Sequence, residues 1–231
     1  MKDDTQKNSM WKCLSYALNS TLVLLLFFSL GPHLSEAQEV TVGLKGGLSQ
    51  STFVDNSSAG FATGITGGGY FRYDINSAFS VQTEAIFNFK GADAKSGDLS
   101  APFLRDLSGE YEIRYLEFPV LFKLNAPLGE VFHASLYTGP QLGFKTQDEL
   151  DGQRLDELTN NTNTVVPIEF SGVIGGDLAV SLESFELGPL NRIVVDGRYT
   201  LGLTNTFEIS DESPSIRNAS FLGTLGVEFS I

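Results

Sequence analysis

The chain has 231 residues, with 15 Lys and Arg set against 28 Asp and Glu, a formal net charge of −13. An excess of acid on that scale repels phosphate backbones, so nucleic acid is not an expected partner. The mean hydropathy of +0.01 resembles that of a soluble protein, yet strands that interleave apolar and polar residues produce the same average and hide a transmembrane barrel from hydropathy scans.

The N-terminus decides the compartment. Lys2, Lys7 and Lys12 precede the apolar run Thr21 to Leu30, which suits the core of a signal peptide and falls short of the roughly 20 residues of a spanning helix. Pro32 breaks any helix, and Ser35-Glu36-Ala37 supplies the small residues of a cleavage site. Residues 1–37 are therefore expected to be a signal peptide and 38–231 the mature domain, which keeps 12 basic against 25 acidic residues. The competing reading is an uncleaved anchor, which the short core and the lack of a second apolar stretch disfavour. Cys13 precedes the core, so it is no lipoprotein acylation site and the mature chain forms no disulfide.

After residue 37 the alternation predicts strands near 40–48, 61–75, 79–90, 111–125, 132–144, 167–182, 191–204 and 218–231. The gaps at 49–60, 91–110, 145–166 and 205–217 are long and polar, whereas Asn76-Ser77, Ala126 to Val131 and Glu183 to Leu190 are short. Outer-membrane barrels have short periplasmic turns and long external loops. An eight-stranded antiparallel up-and-down transmembrane β-barrel with both termini in the periplasm, in a Gram-negative envelope, is the expected fold.

Individual strands carry the pattern. In the third, Phe79, Val81, Thr83, Ala85, Phe87 and Phe89 share one face, and Ser80, Gln82, Glu84, Asn88 and Lys90 the other. In the fourth, Leu116, Phe118, Val120, Phe122 and Leu124 are assigned to lipid and Arg114, Glu117 and Lys123 to the lumen. The last puts Phe221, Leu225, Val227 and Phe229 opposite Ser220, Leu222, Thr224 and Glu228. Pro119 and Pro140 lack the N–H that a ladder needs, so a bulge or a rim position is expected for each.

Val42-Gly43-Leu44-Lys45-Gly46-Gly47, Tyr115-Leu116-Glu117-Phe118-Pro119-Val120-Leu121, Gly139-Pro140 and Gly197-Arg198-Tyr199-Thr200-Leu201-Gly202-Leu203 resemble the small outer-membrane β-barrel domain of the PorT-like group, similar in architecture to the OmpA and OmpX barrels. The resemblance covers essentially the whole mature chain. It implies, for some members, a part in secretion or envelope assembly. The terminal run is similar to the sorting signal read by the barrel-assembly machinery, carried here by Thr224, Gly226, Phe229 and Ile231, with Ile231 in place of the usual final aromatic.

Eight strands enclose only enough room for side chains. Glu84, Arg114, Glu117, Lys123, Asp177, Asp196 and Arg198 are the candidates for an interior ion-pair network, with a proton or ion path as the alternative role. Catalysis has little support, because the one histidine of the mature chain, His133, begins the fifth strand beside a short turn. Loop three carries Asp148, Glu149, Asp151, Asp156 and Glu157, a weak candidate for contact with divalent cations that lacks EF-hand spacing. Loop two carries Phe103, Leu104, Leu107 and Tyr111, which either fold over the mouth or meet a protein partner. No glycine loop of the phosphate-cradling kind occurs, so no cofactor is expected. The expected role is non-enzymatic, structural or interactive, in outer-membrane lipid and through external loops. A narrow channel and a soluble periplasmic lipocalin-like binder are the alternatives.

Overall fold

A computed structural model of the chain describes residues 40–55, 59–94, 109–151, 153–154, 165–182, 189–206 and 216–230. Its strands are β1 (Val40–Asp55), β2 (Gly60–Asp74), β3 (Phe79–Ala94), β4 (Gly109–Leu128), β5 (Phe132–Leu150), β6 (Gln153–Arg154), β7 (Ile168–Ser181), β8 (Leu190–Gly202) and β9 (Ile216–Ser230). Every pairing is antiparallel, in the order β4-β3-β2-β1-β9-β8-β7-β5, and β5 pairs back to β4. Eight long strands thus close into a barrel without a free edge. The two-residue β6 folds back on the tip of β5, with Leu150 opposite Gln153.

The alternation read in the sequence is realised in three dimensions. On β9, Phe221 and Leu225 are 56% and 60% exposed, while Leu222, Thr224 and Glu228 are buried. Leu44, Leu48, Ile65, Phe122, Leu136, Ile174 and Val195 also point outward. An apolar exterior around a polar interior inverts the arrangement of a lipocalin-like carrier, which presents a polar face to water.

Strand ends depart from the sequence reading at the loop end. β1 runs on to Asp55 because Ser49 to Val54, polar enough to read as a loop, pairs with β9 along its whole length. β5 likewise continues to Leu150 opposite Tyr111. The first connection at that end is therefore short, unlike 95–108 and the stretch after β5. At the other end, the Asn76 side chain accepts hydrogen bonds from the Ala78 and Phe79 amides, both at 2.9 Å, which fixes the tight β2–β3 turn.

Pro119 and Pro140 are at neither a rim nor a bulge. Both lie midway along their strands, where pairing lapses between Thr83/Val120 and Ile86/Glu117 and between Pro119/Gln141 and Phe122/Thr138, and then resumes in the same register. The bulges are elsewhere, near Phe61 and Thr66, at Arg114/Tyr115 and at Leu190/Arg192. Beside the second lapse the β4 and β5 backbones approach closely, so that a Cβ on Gly139 would collide with the Val120 carbonyl oxygen. On the outer face of β9, a Cβ on Gly223 would meet nothing within 4 Å. Gly139→Ala is accordingly expected to cost about 1–3 kcal/mol through backbone displacement, and Gly223→Ala to be neutral. Urea titration of the two variants in lipid vesicles checks the contrast, and equal effects would contradict the close approach.

Toward the loop end the two faces exchange character. Outward, Leu116 gives way to Arg114 and Glu112, and Phe144 to Thr146, Gln147 and Glu149. Inward, the charged and hydroxyl-bearing groups give way to Phe53, Ala92, Tyr111, Ile113, Leu150, Val165 and Ile216, which form one buried apolar cluster with Tyr115. Phe53 and Tyr111 meet edge to face, with centroids 5.9 Å apart. The barrel is thus membrane-like over most of its height and built like a water-soluble sheet protein at its tip.

Candidate functional site

The lumen concentrates the chemistry of the chain, because alternation sends every second residue of eight strands into one narrow space. Its charges fall into three groups along the barrel. At the short-turn end, Arg72 donates to Glu228 at 2.6 Å and pairs with Asp74 at 3.2 Å, while Arg192 lies 3.5 Å from the other Glu228 oxygen. The Tyr70 hydroxyl donates to the same carboxylate at 3.1 Å.

The second group is the largest. The Arg198 guanidinium donates to both Glu84 oxygens at 2.8 and 3.0 Å and to Asp196 at 3.1 Å. Lys45 donates to Glu84 at 2.8 Å and stands 3.8 Å from Asp196. Gln82 donates to Glu84 at 2.6 Å, and Lys123 donates to Asp177 at 2.6 Å and to Gln82 at 3.1 Å. The Tyr137 hydroxyl donates to Asp196. Three cations and three carboxylates are balanced here, as burial demands: an unpaired charge in such a space is costly, whereas a fully hydrogen-bonded pair offsets most of its lost hydration.

The third group lies nearer the loops. Lys90 bridges Glu117 at 2.7 Å and Glu169 at 2.6 Å, with its ammonium 5.2 Å from the Tyr115 ring centroid. Asn218 and Ser171 donate to Glu169 at 2.6 and 2.8 Å. The apolar cluster then closes the interior above this group. A cavity of about 10 Å³ beside Lys45, Tyr70 and Lys123 holds roughly one water.

Six of the sequence candidates, Glu84, Glu117, Lys123, Asp177, Asp196 and Arg198, face this interior. Arg114 does not. It is two residues from Leu116 and shares its outward face, where it donates to Glu112 at 2.7 Å and to Gln147 at 2.8 Å and lies 5.1 Å from the Phe89 ring centroid. Lys45, Arg72, Lys90, Glu169, Arg192 and Glu228 complete the networks. Lys90 and Glu228 already lie on faces that the sequence pattern assigns to the lumen, and the same counting by twos along the other strands finds the rest, as with Arg72 between Phe71 and Tyr73.

Of the acidic residues assigned to loop three, the described ones do not converge. Asp148 turns inward and pairs with Lys145 at 3.3 Å, Glu149 lies on the opposite face 3.6 Å from Arg114 and accepts from Gln147, and Asp151 is exposed at a positive φ of 49°. Asp156 and Glu157 are outside the described residues, as are Phe103, Leu104 and Leu107 of loop two, while Tyr111 is fully buried in the apolar cluster. Among the described residues, no three His, Cys, Asp or Glu side chains gather as metal ligands. His133 opposes Pro127 and Ala179 at the short-turn end. Of the terminal signal, Thr224 and Gly226 face inward, Phe229 is half-buried on the outer face, and Ile231 is outside the described residues.

Several solved outer-membrane protein structures align with the chain. OprG from Pseudomonas aeruginosa aligns at 10% identity with a TM-score of 0.51, over 84% of this chain and 98% of that one. Neisserial surface protein A aligns at 13% identity with a TM-score of 0.47, over 83% and 97%. The Escherichia coli outer membrane protease OmpT aligns at 9% identity with a TM-score of 0.42, over 87% and 99%. No curated protein matches the sequence. The family described as outer membrane protein beta-barrel domain matches residues 35–208, three quarters of the chain. With a closed barrel, apolar without and charged within, the chain belongs to that family and is a protein of the bacterial outer membrane.

Proposed function

We propose that the protein acts without catalysis, as a structural or interaction protein whose long-loop end faces the cell exterior and engages an envelope partner. The filled lumen carries this reading: paired charges occupy its middle and an apolar cluster closes it near the loops, which leaves little room for a solute path. Binding then falls to segments carried on the rigid wall, and loops serve that purpose best. A part in secretion or envelope assembly follows from the likeness to the PorT-like group. During biogenesis the barrel-assembly machinery reads the last strand through Thr224, Gly226, Phe229 and Ile231.

Crosslinking in intact cells tests the proposal. Shortening residues 95–108 is expected to preserve the difference in gel mobility between folded and boiled protein, because loops tolerate deletion better than the hydrogen-bonded wall, and to abolish the crosslinked partner. Retention of that partner, or steady conductance in planar bilayers that changes with Arg198 or Glu84, would overturn it in favour of a channel.

A further inference from the structure

Between the middle network and Lys90 the lumen is crossed by an apolar waist of Ile86, Val173 and Leu222, each 2% exposed. Beyond this apolar waist, Thr66, Asn88, Gln141, Thr200 and Ser220 project inward from five different strands, none more than 6% exposed. Thr66 stands opposite Asn88 across β2 and β3, and Thr200 opposite Ser220 across β8 and β9. Thr66 Oγ1, Asn88 Oδ1, Gln141 Nε2, Thr200 Oγ1 and Ser220 Oγ have no hydrogen-bond partner in the protein, and neither does Asn218 Oδ1. Buried polar atoms rarely stay unpaired, so a ring of them with five oxygens marks a place built for something polar.

Charge indicates what that is. Lys90 is one ammonium between two carboxylates. Glu169 also accepts from Ser171 and Asn218. Glu117 has, besides Lys90, only the Asn88 amide at 3.3 Å. The middle network spends its three cations on its own three carboxylates, and the cluster above the group is apolar. One formal negative charge is left in a compartment bounded by apolar residues on both sides.

We propose that this compartment binds one monovalent alkali cation, its charge balanced by the Glu117 carboxylate and its shell completed by the unpaired Asn88 amide oxygen and the surrounding hydroxyls, directly or through water. Hard cations take oxygen ligands. A single positive charge balances the group, whereas a divalent ion would leave it positive.

The test compares urea unfolding of the folded protein in lipid vesicles across a NaCl series and a choline chloride series of matched ionic strength. Once sodium exceeds the dissociation constant, each tenfold rise in NaCl is expected to raise the ratio of folded to unfolded protein tenfold, as for a ligand bound only by the folded state. Choline, whose charge is covered by methyl groups that oxygen ligands cannot replace, is expected to have no such effect. Glu117→Gln removes the excess charge and is expected to abolish the sodium dependence, and if that variant fails to assemble, Asn88→Ala carries the same expectation. Coincident sodium and choline curves for the unaltered protein would overturn the proposal, including the case in which stability follows pH alone and a proton supplies the missing charge.

Discussion

Replacing Arg198 with leucine is expected to destabilise the folded barrel by about 3–5 kcal/mol, the range for removing one partner of a buried ion pair. Arg198 donates to both oxygens of Glu84 and to Asp196, so its loss leaves Lys45 as the one cation serving two carboxylates whose side chains are at most 6% exposed. The loss comes from stranded charge more than from missing attraction. Adding Glu84→Gln to Arg198→Leu should therefore recover part of the stability, and a double-mutant cycle read by urea titration in vesicles measures the coupling. Strictly additive losses would show that the two groups do not act as a pair.

The second large effect concerns the outer wall. Leu225 is 60% exposed on the outward face of β9, between Phe221 and Phe229. Leu225→Arg places a cation in hydrocarbon and is expected to cost about 2–4 kcal/mol, as for basic residues near the midplane of such barrels. Thr224→Arg, one residue away, enters the lumen beside Asp196, to which Thr224 now donates at 3.3 Å. Its cost is one of volume in a packed interior, about 1–3 kcal/mol, with the new charge partly neutralised. The same vesicle titration separates the two variants, and a neutral Leu225→Arg would contradict the facing of β9.

The barrel was legible because period-two alternation is a local signal, and eight repetitions of it with turns between admit few architectures. The facing of β3 and β9 followed residue by residue. Where the pattern is read by residue type instead of by count, it misleads: its charge and its nearness to Glu117 draw Arg114 inward, although parity with Leu116 assigns it outside. The extension of β1 through Ser49 to Asp55 was hidden for another reason. Above the bilayer a strand needs no apolar outer face, so its exposed residues look like loop, and only pairing with β9 reveals it. Partnerships such as Lys90 with Glu117 and Glu169 join residues far apart in sequence, and their choice depends on stagger between strands, which composition does not encode.

The exchange of inner and outer character near the loops also sets depth. A barrel with a uniformly apolar exterior could ride up or down in a bilayer at little cost, but here a slip of one residue pair toward the periplasm would drag Arg114 and Glu112 into hydrocarbon. A slip the other way would expose Leu116 and Phe144 to water. The outward polar residues above Leu116 and Phe144 thus behave as a waterline, and a bilayer whose thickness mismatches the apolar band must deform around the protein instead of letting it shift.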